Sequence, residues 1–329
     1  MKIAILDDYT DTARRSAAFA HLAGHAVSIW TDRAPTPEAL AQRLEDVEAL
    51  VLIRERSQIR EPLLARLPKL RLISHVGPAP NVDVEACTRR GVLLCDGRGE
   101  AHRMTAGAAS TAELTWALIL AALRQLPQQA AALKAGVWQV ASGRTLRDRT
   151  LGVYGYGRQG AQVAAYGRAF GMDVQVWGRD GSQARAAADG YRIAAGPEPL
   201  FETSDVLSLH VALTAQTEGL VTAADLARMK PDAVLVNTSR AGLIASGALV
   251  AALKAGRPGF AAVDVFEHEP VLGGDHPLLA MDNVICTPHL GYATDDQLAA
   301  LFEVLFAQVA AYAQGRPIGV ANPAALGHS

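Results

Sequence analysis

Short, uniformly apolar runs alternate with amphipathic helical patterns along almost the whole chain, and this alternation restricts the fold more than any other feature. In the first third the runs are Ile3–Leu6, Ala26–Trp30, Ala49–Ile53, Leu70–Val76 and Val92–Cys95. They are rich in Val, Ile and Leu and lack polar alternation, the pattern of parallel strands covered on both faces. Pro37–Leu44 and Val82–Arg90 carry helical spacing between them. Strand–helix–strand repetition of this kind predicts a parallel, doubly wound sheet. A second series comprises Thr150–Tyr154, Val174–Trp177, Val206–His210, Ala233–Thr238, Ala261–Phe266 and Asn283–Thr287. Six such strands with helices between them complete a sheet of the dinucleotide-binding type. Between the two series, Ser110-Thr111-Ala112-Glu113 has capping-box spacing and predicts the start of a long helix running to Leu123. A last amphipathic helix is expected from Asp296 to Ala313, ended by Gly315-Arg316-Pro317. A chain of 329 residues is long enough for two domains.

Charge and cysteine usage narrow the function classes. The formal net charge is −2, and the basic groups Arg54-Glu55-Arg56 and Arg89-Arg90 are short. Nucleic acid or an anionic membrane would call for a concentrated basic patch, so neither is expected as a partner. Cys87, Cys95 and Cys286 are odd in number and lack CxxC spacing. That argues against a disulfide framework and a structural metal site, and for reduced thiols in a cytoplasmic protein. The apolar run at Ile3–Leu6 is too short for a signal peptide, and Leu114–Leu123, ten residues, is too short to span a bilayer.

The most informative local motif follows Leu151-Gly152-Val153-Tyr154. Gly155-Tyr156-Gly157-Arg158-Gln159-Gly160 stands between that strand and a helix expected to open at Ala161. The first glycine permits a tight turn, the second lets backbone approach a pyrophosphate, and the third lets helix pack on strand. The helix N-terminus then presents free N–H groups to the phosphates. The whole segment is thus expected to cradle a nicotinamide dinucleotide, with His210 and Thr238, at later strand ends, as further cofactor contacts. Cofactor choice is read at Val176-Trp177-Gly178-Arg179-Asp180. NAD(H) needs an acid where Gly178 stands, whereas Arg179 beside a small residue suits a 2′-phosphate. NADP(H) is therefore favoured; NAD(H) is the alternative, with Asp180 taking the ribose.

Arg240, Glu269 and His289 each follow a strand of the second series, and ligands of open parallel sheets gather at those carboxyl ends. A planar guanidinium can grip a carboxylate and polarise a ketone. Histidine can deliver a proton near neutral pH, and a neighbouring carboxylate favours its charged form. The three suit hydride transfer to a 2-keto acid; His268 beside Glu269 is expected to face solvent.

Four ordered motifs, Gly155-x-Gly157-x-x-Gly160, Val236-Asn237-Thr238-Ser239-Arg240, Asp264-Val265-Phe266-Glu267-His268-Glu269-Pro270 and Thr287-Pro288-His289-Leu290-Gly291, resemble the D-isomer-specific 2-hydroxyacid dehydrogenase family over nearly the whole chain. The resemblance implies Arg240 as the substrate-binding arginine, His289 as acid/base with Glu269 its partner, and Asp264 at the nicotinamide carboxamide. It implies two Rossmann-like domains with a cleft between them. Residues 1–100 and 291–329 would form a flavodoxin-like substrate domain, and residues 101–290 the cofactor domain. It also implies a homodimer, its arm formed by the helix Ser110–Leu123, and a small 2-keto or 2-hydroxy acid as substrate.

The chain departs from the family pattern at several points. Ala241 stands where glycine is common after the arginine, Ala245-Ser246 replaces an acidic pair, and Ala212 replaces a proline. The family's Gly-x-Gly substrate turn becomes Ser74-His75-Val76-Gly77-Pro78-Ala79-Pro80, where two prolines remove donors. Carboxylate binding is expected from the amides of Val76 and Gly77, with His75 and Arg54 as side-chain contacts; for Arg54 a salt bridge with Glu55 or Glu48 is an equal reading. The polar stretch Gly97–Met104 is read as either a substrate contact or a connector. Two other readings share the fold: a formate- or phosphite-type dehydrogenase, with no formate-specific motif evident, and a dinucleotide-sensing regulator.

Overall fold

The computed structural model describes residues 1–97 and 107–328. The chain divides into two compact units, one gathering residues 1–97 and 294–328, the other residues 107–293.

In the first unit β1 (Lys2–Leu6), β2 (Ala26–Ile29), β3 (Ala49–Leu52), β4 (Leu72–Ser74) and β5 (Leu93–Cys95) form an all-parallel sheet in the order β2-β1-β3-β4-β5. This is a flavodoxin-type order, in keeping with the flavodoxin-like domain that the family resemblance implies. Successive strand residues point to opposite faces. Ile3, Ile5 and Val51 accordingly meet Leu301, Phe302, Leu305 and Phe306 of the C-terminal helix Asp295–Ala313. Ala4, Leu6, Leu50 and Leu52 meet Ala41, Leu44, Leu63 and Leu64 on the other face. Both faces are dry, which is why the strands read as unbroken apolar runs.

The second unit holds a seven-stranded parallel sheet: β6 (Thr150–Tyr154), β7 (Asp173–Trp177), β8 (Arg192–Ile193), β9 (Val206–Leu209), β10 (Val234–Asn237), β11 (Phe260–Val263) and β12 (Val284–Cys286), in the order β12-β11-β10-β9-β6-β7-β8. The six expected strands are present. The seventh, β8, is a two-residue edge strand, too short to register as a hydrophobic run. Leu151, Val153, Val174 and Val236 pack against Trp116, Ile119 and Leu123 of the helix Gly107–Arg124. Leu207, Leu209, Leu235 and Val263 pack under Leu200, Phe201, Leu226 and Leu253 on the opposite face.

Two helix starts differ from expectation. The helix Gly107–Arg124 is already running at Ser110, so Ser110 is not its N-cap. The helix after the glycine motif begins at Arg158, with Gly157 as N-cap, rather than at Ala161. Glycines count against helix in a propensity reading, but here Gly160 lies inside the first turn because contact demands it. Cys87 and Cys95 are buried and Cys286 is partly so; burial pushes their thiols up to about 12, about 12 and about 11. Among the described residues no helix is long and apolar enough to cross a membrane.

Candidate active site

The glycine-rich turn is built on contacts that only glycine allows. Gly155 has φ of 100°, a region other residues seldom adopt, and a Cβ there would lie 2.7 Å from the His210 carbonyl. A Cβ on Gly160 would lie 2.1 Å from the Gly155 carbonyl oxygen. Gly157, in contrast, is exposed and a Cβ on it would meet nothing within 4 Å. The first and third glycines therefore serve the fold, and the second leaves open space beside the N-terminus of the helix Arg158–Ala169. Beside this turn the His210 Nε2 pairs with Ser208 Oγ at 2.8 Å, while its Nδ1 is buried without a partner among the described residues. Burial pushes the His210 imidazole down to about 4, so it stays neutral near physiological pH. An open backbone cradle and an orphaned ring nitrogen fit a dinucleotide's phosphates and sugars.

The side chain of Tyr156 does not face that cradle. It is buried, its hydroxyl donates to Asp189 Oδ2 at 2.6 Å, and its ring packs on Tyr191. Only its backbone is available to a cofactor, and its carbonyl already accepts from Arg185 at 2.9 Å. Arg158 is exposed and Gln159 half-buried at the helix start. Gly178 and Arg179 lie just beyond β7, where Arg179 is the exposed N-cap of the helix Asp180–Ala188. A Cβ on Gly178 would come within 3.3 Å of Ser182 Cβ, so this corner has little room for a larger residue.

The acid/base pair is formed in the structure. His289 Nδ1 lies 2.6 Å from Glu269 Oε2, and Glu269 Oε1 accepts from the Phe266 amide at 2.9 Å. Burial pushes the Glu269 carboxyl up. The hydrogen bond and charge of His289, the Phe266 amide and the charge of Arg240 outweigh it, and the group is held below the ordinary glutamate value. Arg240 follows β10 with an exposed side chain, and its carbonyl is tied to Asn237 Nδ2 at 2.9 Å. Arg240, Glu269 and His289 thus share one electrostatic neighbourhood at the carboxyl ends of neighbouring strands, while His268 is exposed.

Asp264 and Thr238 have duties the sequence did not suggest. Asp264 is fully buried, and its Oδ1 accepts from Thr287 Oγ1 at 2.6 Å and the Leu290 amide at 2.7 Å. Its Oδ2 accepts from the Gly291 amide at 2.9 Å. The carboxylate that the family resemblance implies at the nicotinamide carboxamide also grips the His289 segment. Burial outweighs these three bonds and the His289 charge, and raises the carboxyl above its ordinary value. The hydroxyl of Thr238 is 2.8 Å from Thr115 Oγ1 and buried.

The substrate loop of the first unit is more inward-looking than expected. Gly77 N–H donates to the Asp96 carbonyl at 2.8 Å, so one of the two amides expected to hold a carboxylate is already committed. His75 is buried, its Nε2 3.1 Å from the Pro78 carbonyl, where it closes the proline-bearing turn. Val76 and Arg54 remain half-buried, and Arg54 has a left-handed backbone with φ of 65°. The neighbouring Arg56 donates to the Asp7 carbonyl at 2.7 Å and covers the Tyr9 ring. Residues 98–104, most of the polar stretch beginning at Gly97, lie outside the described residues.

Comparison with known proteins places this geometry. The model of the D-isomer specific 2-hydroxyacid dehydrogenase NAD binding domain matches residues 116–291. A glyoxylate reductase of Aeropyrum pernix is 36% identical over 304 residues, covering 88% of this chain and 87% of that protein. A D-3-phosphoglycerate dehydrogenase of Methanocaldococcus jannaschii is 36% identical over 277 residues, covering 83% of this chain but only 51% of the relative, so the chain spans about half its length. A solved phosphoglycerate oxidoreductase of Vibrio cholerae is 45% identical with a TM-score of 0.90, over 96% of this chain and 99% of that one. The chain belongs to the D-isomer-specific 2-hydroxyacid dehydrogenase family.

Proposed function

We propose that the protein is a D-2-hydroxyacid dehydrogenase acting as a 2-keto acid reductase. The observation that carries this reading is the 2.6 Å pair of His289 and Glu269 with Arg240 close enough to act on the same carboxylate. Membership of the family makes the chain a nicotinamide-dependent oxidoreductase, and the bound dinucleotide supplies or takes the hydride. Arg240 grips the substrate carboxylate and polarises the ketone. Because Nδ1 of His289 is engaged by Glu269, Nε2 is the atom that passes a proton to the nascent alkoxide. Glu269 stabilises the charged imidazole before transfer.

NADP(H) is the cofactor in this proposal. Gly178 offers no carboxylate to the ribose hydroxyls, and exposed Arg179 stands beside it. The substrate is a small 2-keto or 2-hydroxy acid of the kind named in the relatives, in a cytoplasmic enzyme. The helix Ser110–Leu123, expected as the dimer arm, turns Trp116, Ile119 and Leu123 onto its own sheet, and the homodimer is supported instead by Leu126, Leu133, Val137, Trp138 and Val140, apolar side chains exposed along a segment that Gln129 holds in place through Ala141 O and Val140 N. The test is a panel of glyoxylate, hydroxypyruvate, pyruvate, longer keto acids and 3-phosphoglycerate with both cofactors. Turnover with at least one acid, a preference for NADPH that Arg179→Ala removes, and loss of turnover in His289→Ala with cofactor binding retained are expected. Tight cofactor binding without turnover on any acid would point to a sensor instead, and unchanged turnover in His289→Ala would remove His289 from the mechanism.

A further inference from the structure

The carbonyl of Gly291, two residues after His289, accepts two side-chain hydroxyls, Ser110 Oγ at 2.9 Å and Thr111 Oγ1 at 2.9 Å. Both donors are buried, in the first turns of the helix Gly107–Arg124. His289 itself has φ of 55°, a left-handed backbone that a residue with a side chain adopts only when its surroundings impose it. The surroundings do impose it. Asp264 takes Thr287 Oγ1, Leu290 N and Gly291 N from one side, and Ser110 and Thr111 take Gly291 O from the other. Gly291 is closely fitted between them, since a Cβ there would lie 3.2 Å from Thr111 Oγ1 and 3.4 Å from Asp264 Oδ2.

The same stretch of helix reaches the other side of the site. Thr115 Oγ1 donates to the Thr111 carbonyl at 2.8 Å and so accepts from Thr238 Oγ1 at 2.8 Å. Thr238 stands two residues before Arg240. We infer that Ser110 and Thr111, with Thr115 behind them, are positioning residues that hold the His289 and Arg240 segments in fixed relation. The inference rests on His289 being the acid/base. It assigns a task to hydroxyls whose sequence spacing pointed only to a helix cap.

The test uses Ser110→Ala, Thr111→Val, their double variant and Thr111→Ser, with three readouts: turnover, dinucleotide affinity by fluorescence titration, and carbon-13 titration of the Glu269 carboxyl. The double variant should lose about ten- to a hundredfold in kcat, the scale of a misplaced reacting group. Dinucleotide affinity should hold, and the Glu269 carboxyl should titrate closer to the ordinary glutamate value because its bond from His289 loosens. Thr111→Ser, which keeps the hydroxyl, should restore most of kcat. Where the double variant does not fold, the two single variants give the same readouts. Full kcat without the hydroxyls, or a loss of kcat with an unmoved Glu269 titration and no rescue by serine, overturns the inference. The Glu269 titration reads the positioning whether or not the enzyme turns over. Failure of the functional reading shows separately, as unimpaired turnover in His289→Ala.

Discussion

One methyl group added at Gly157 and another at Gly160 should separate the two tasks of the glycine-rich turn. At Gly160 the new carbon would sit 2.1 Å from the Gly155 carbonyl oxygen, about 1 Å inside ordinary contact, and the obstacle is backbone. Either strand or helix must shift, so Gly160→Ala should cost roughly 1–3 kcal/mol of stability or more. At Gly157 the carbon meets nothing within 4 Å, and φ of −94° with ψ of −162° is extended backbone open to alanine. Gly157→Ala should leave stability within about 0.5 kcal/mol of the parent, or raise it slightly by restricting the unfolded chain. It should nevertheless weaken the dinucleotide, because the methyl occupies the space through which backbone reaches the phosphates. Losing one charge-assisted backbone contact is worth about 1.5–3 kcal/mol, or roughly a ten- to hundredfold rise in Kd. Urea denaturation and fluorescence titration with NADH and NADPH measure the two quantities on the same samples. Parental cofactor affinity in Gly157→Ala would refute the assignment of Gly157 as the point of phosphate approach. A Gly160→Ala protein of parental stability would refute the contact argument.

Three further outcomes follow from the structure. Because the Glu269 carboxyl titrates below its ordinary value, the pair with His289 contributes stability above the ordinary glutamate range and loses it as pH falls through the depressed value. The urea midpoint should therefore fall more steeply below about pH 4.5 in the parent than in Glu269→Gln, which should also lose about a hundredfold in turnover. His210 titrates at about 4 when folded, below the unfolded imidazole, so the unfolded chain binds the extra proton and stability falls as pH drops from about 6.5 toward 4. That loss amounts to up to about 3 kcal/mol, and a His210→Gln protein should show a flatter profile over the same window. Light scattering should give twice the 34.7 kDa chain mass, and Trp138→Lys, at a side chain 77% exposed, should shift the protein toward monomer. A monomeric parent would remove the dimer from the proposal.

The sequence by itself determined the two parallel sheets, the order of their strands along the chain, and the motifs that carry Arg240, Glu269 and His289. Burial on both faces leaves a one-dimensional trace in Val, Ile and Leu runs, and strand ends in such sheets converge on a site. The glycine turn was legible for the same reason, because its geometry restricts residue type at three positions. The tertiary structure decided what spacing does not encode. A carboxylate such as Asp264 reads as a ligand contact in the sequence, and only folding shows that its oxygens also accept from Thr287, Leu290 and Gly291. Ser110 reads as a helix cap until the helix is seen to start earlier and the hydroxyl to reach a carbonyl 181 residues away. His75 and Gly77 read as substrate contacts, and only folding shows His75 Nε2 and the Gly77 amide closing their own loop against Pro78 and Asp96. Each polar group chooses among partners far apart in the chain, and that choice is made by which backbone groups the packed sheets and helices leave unpaired.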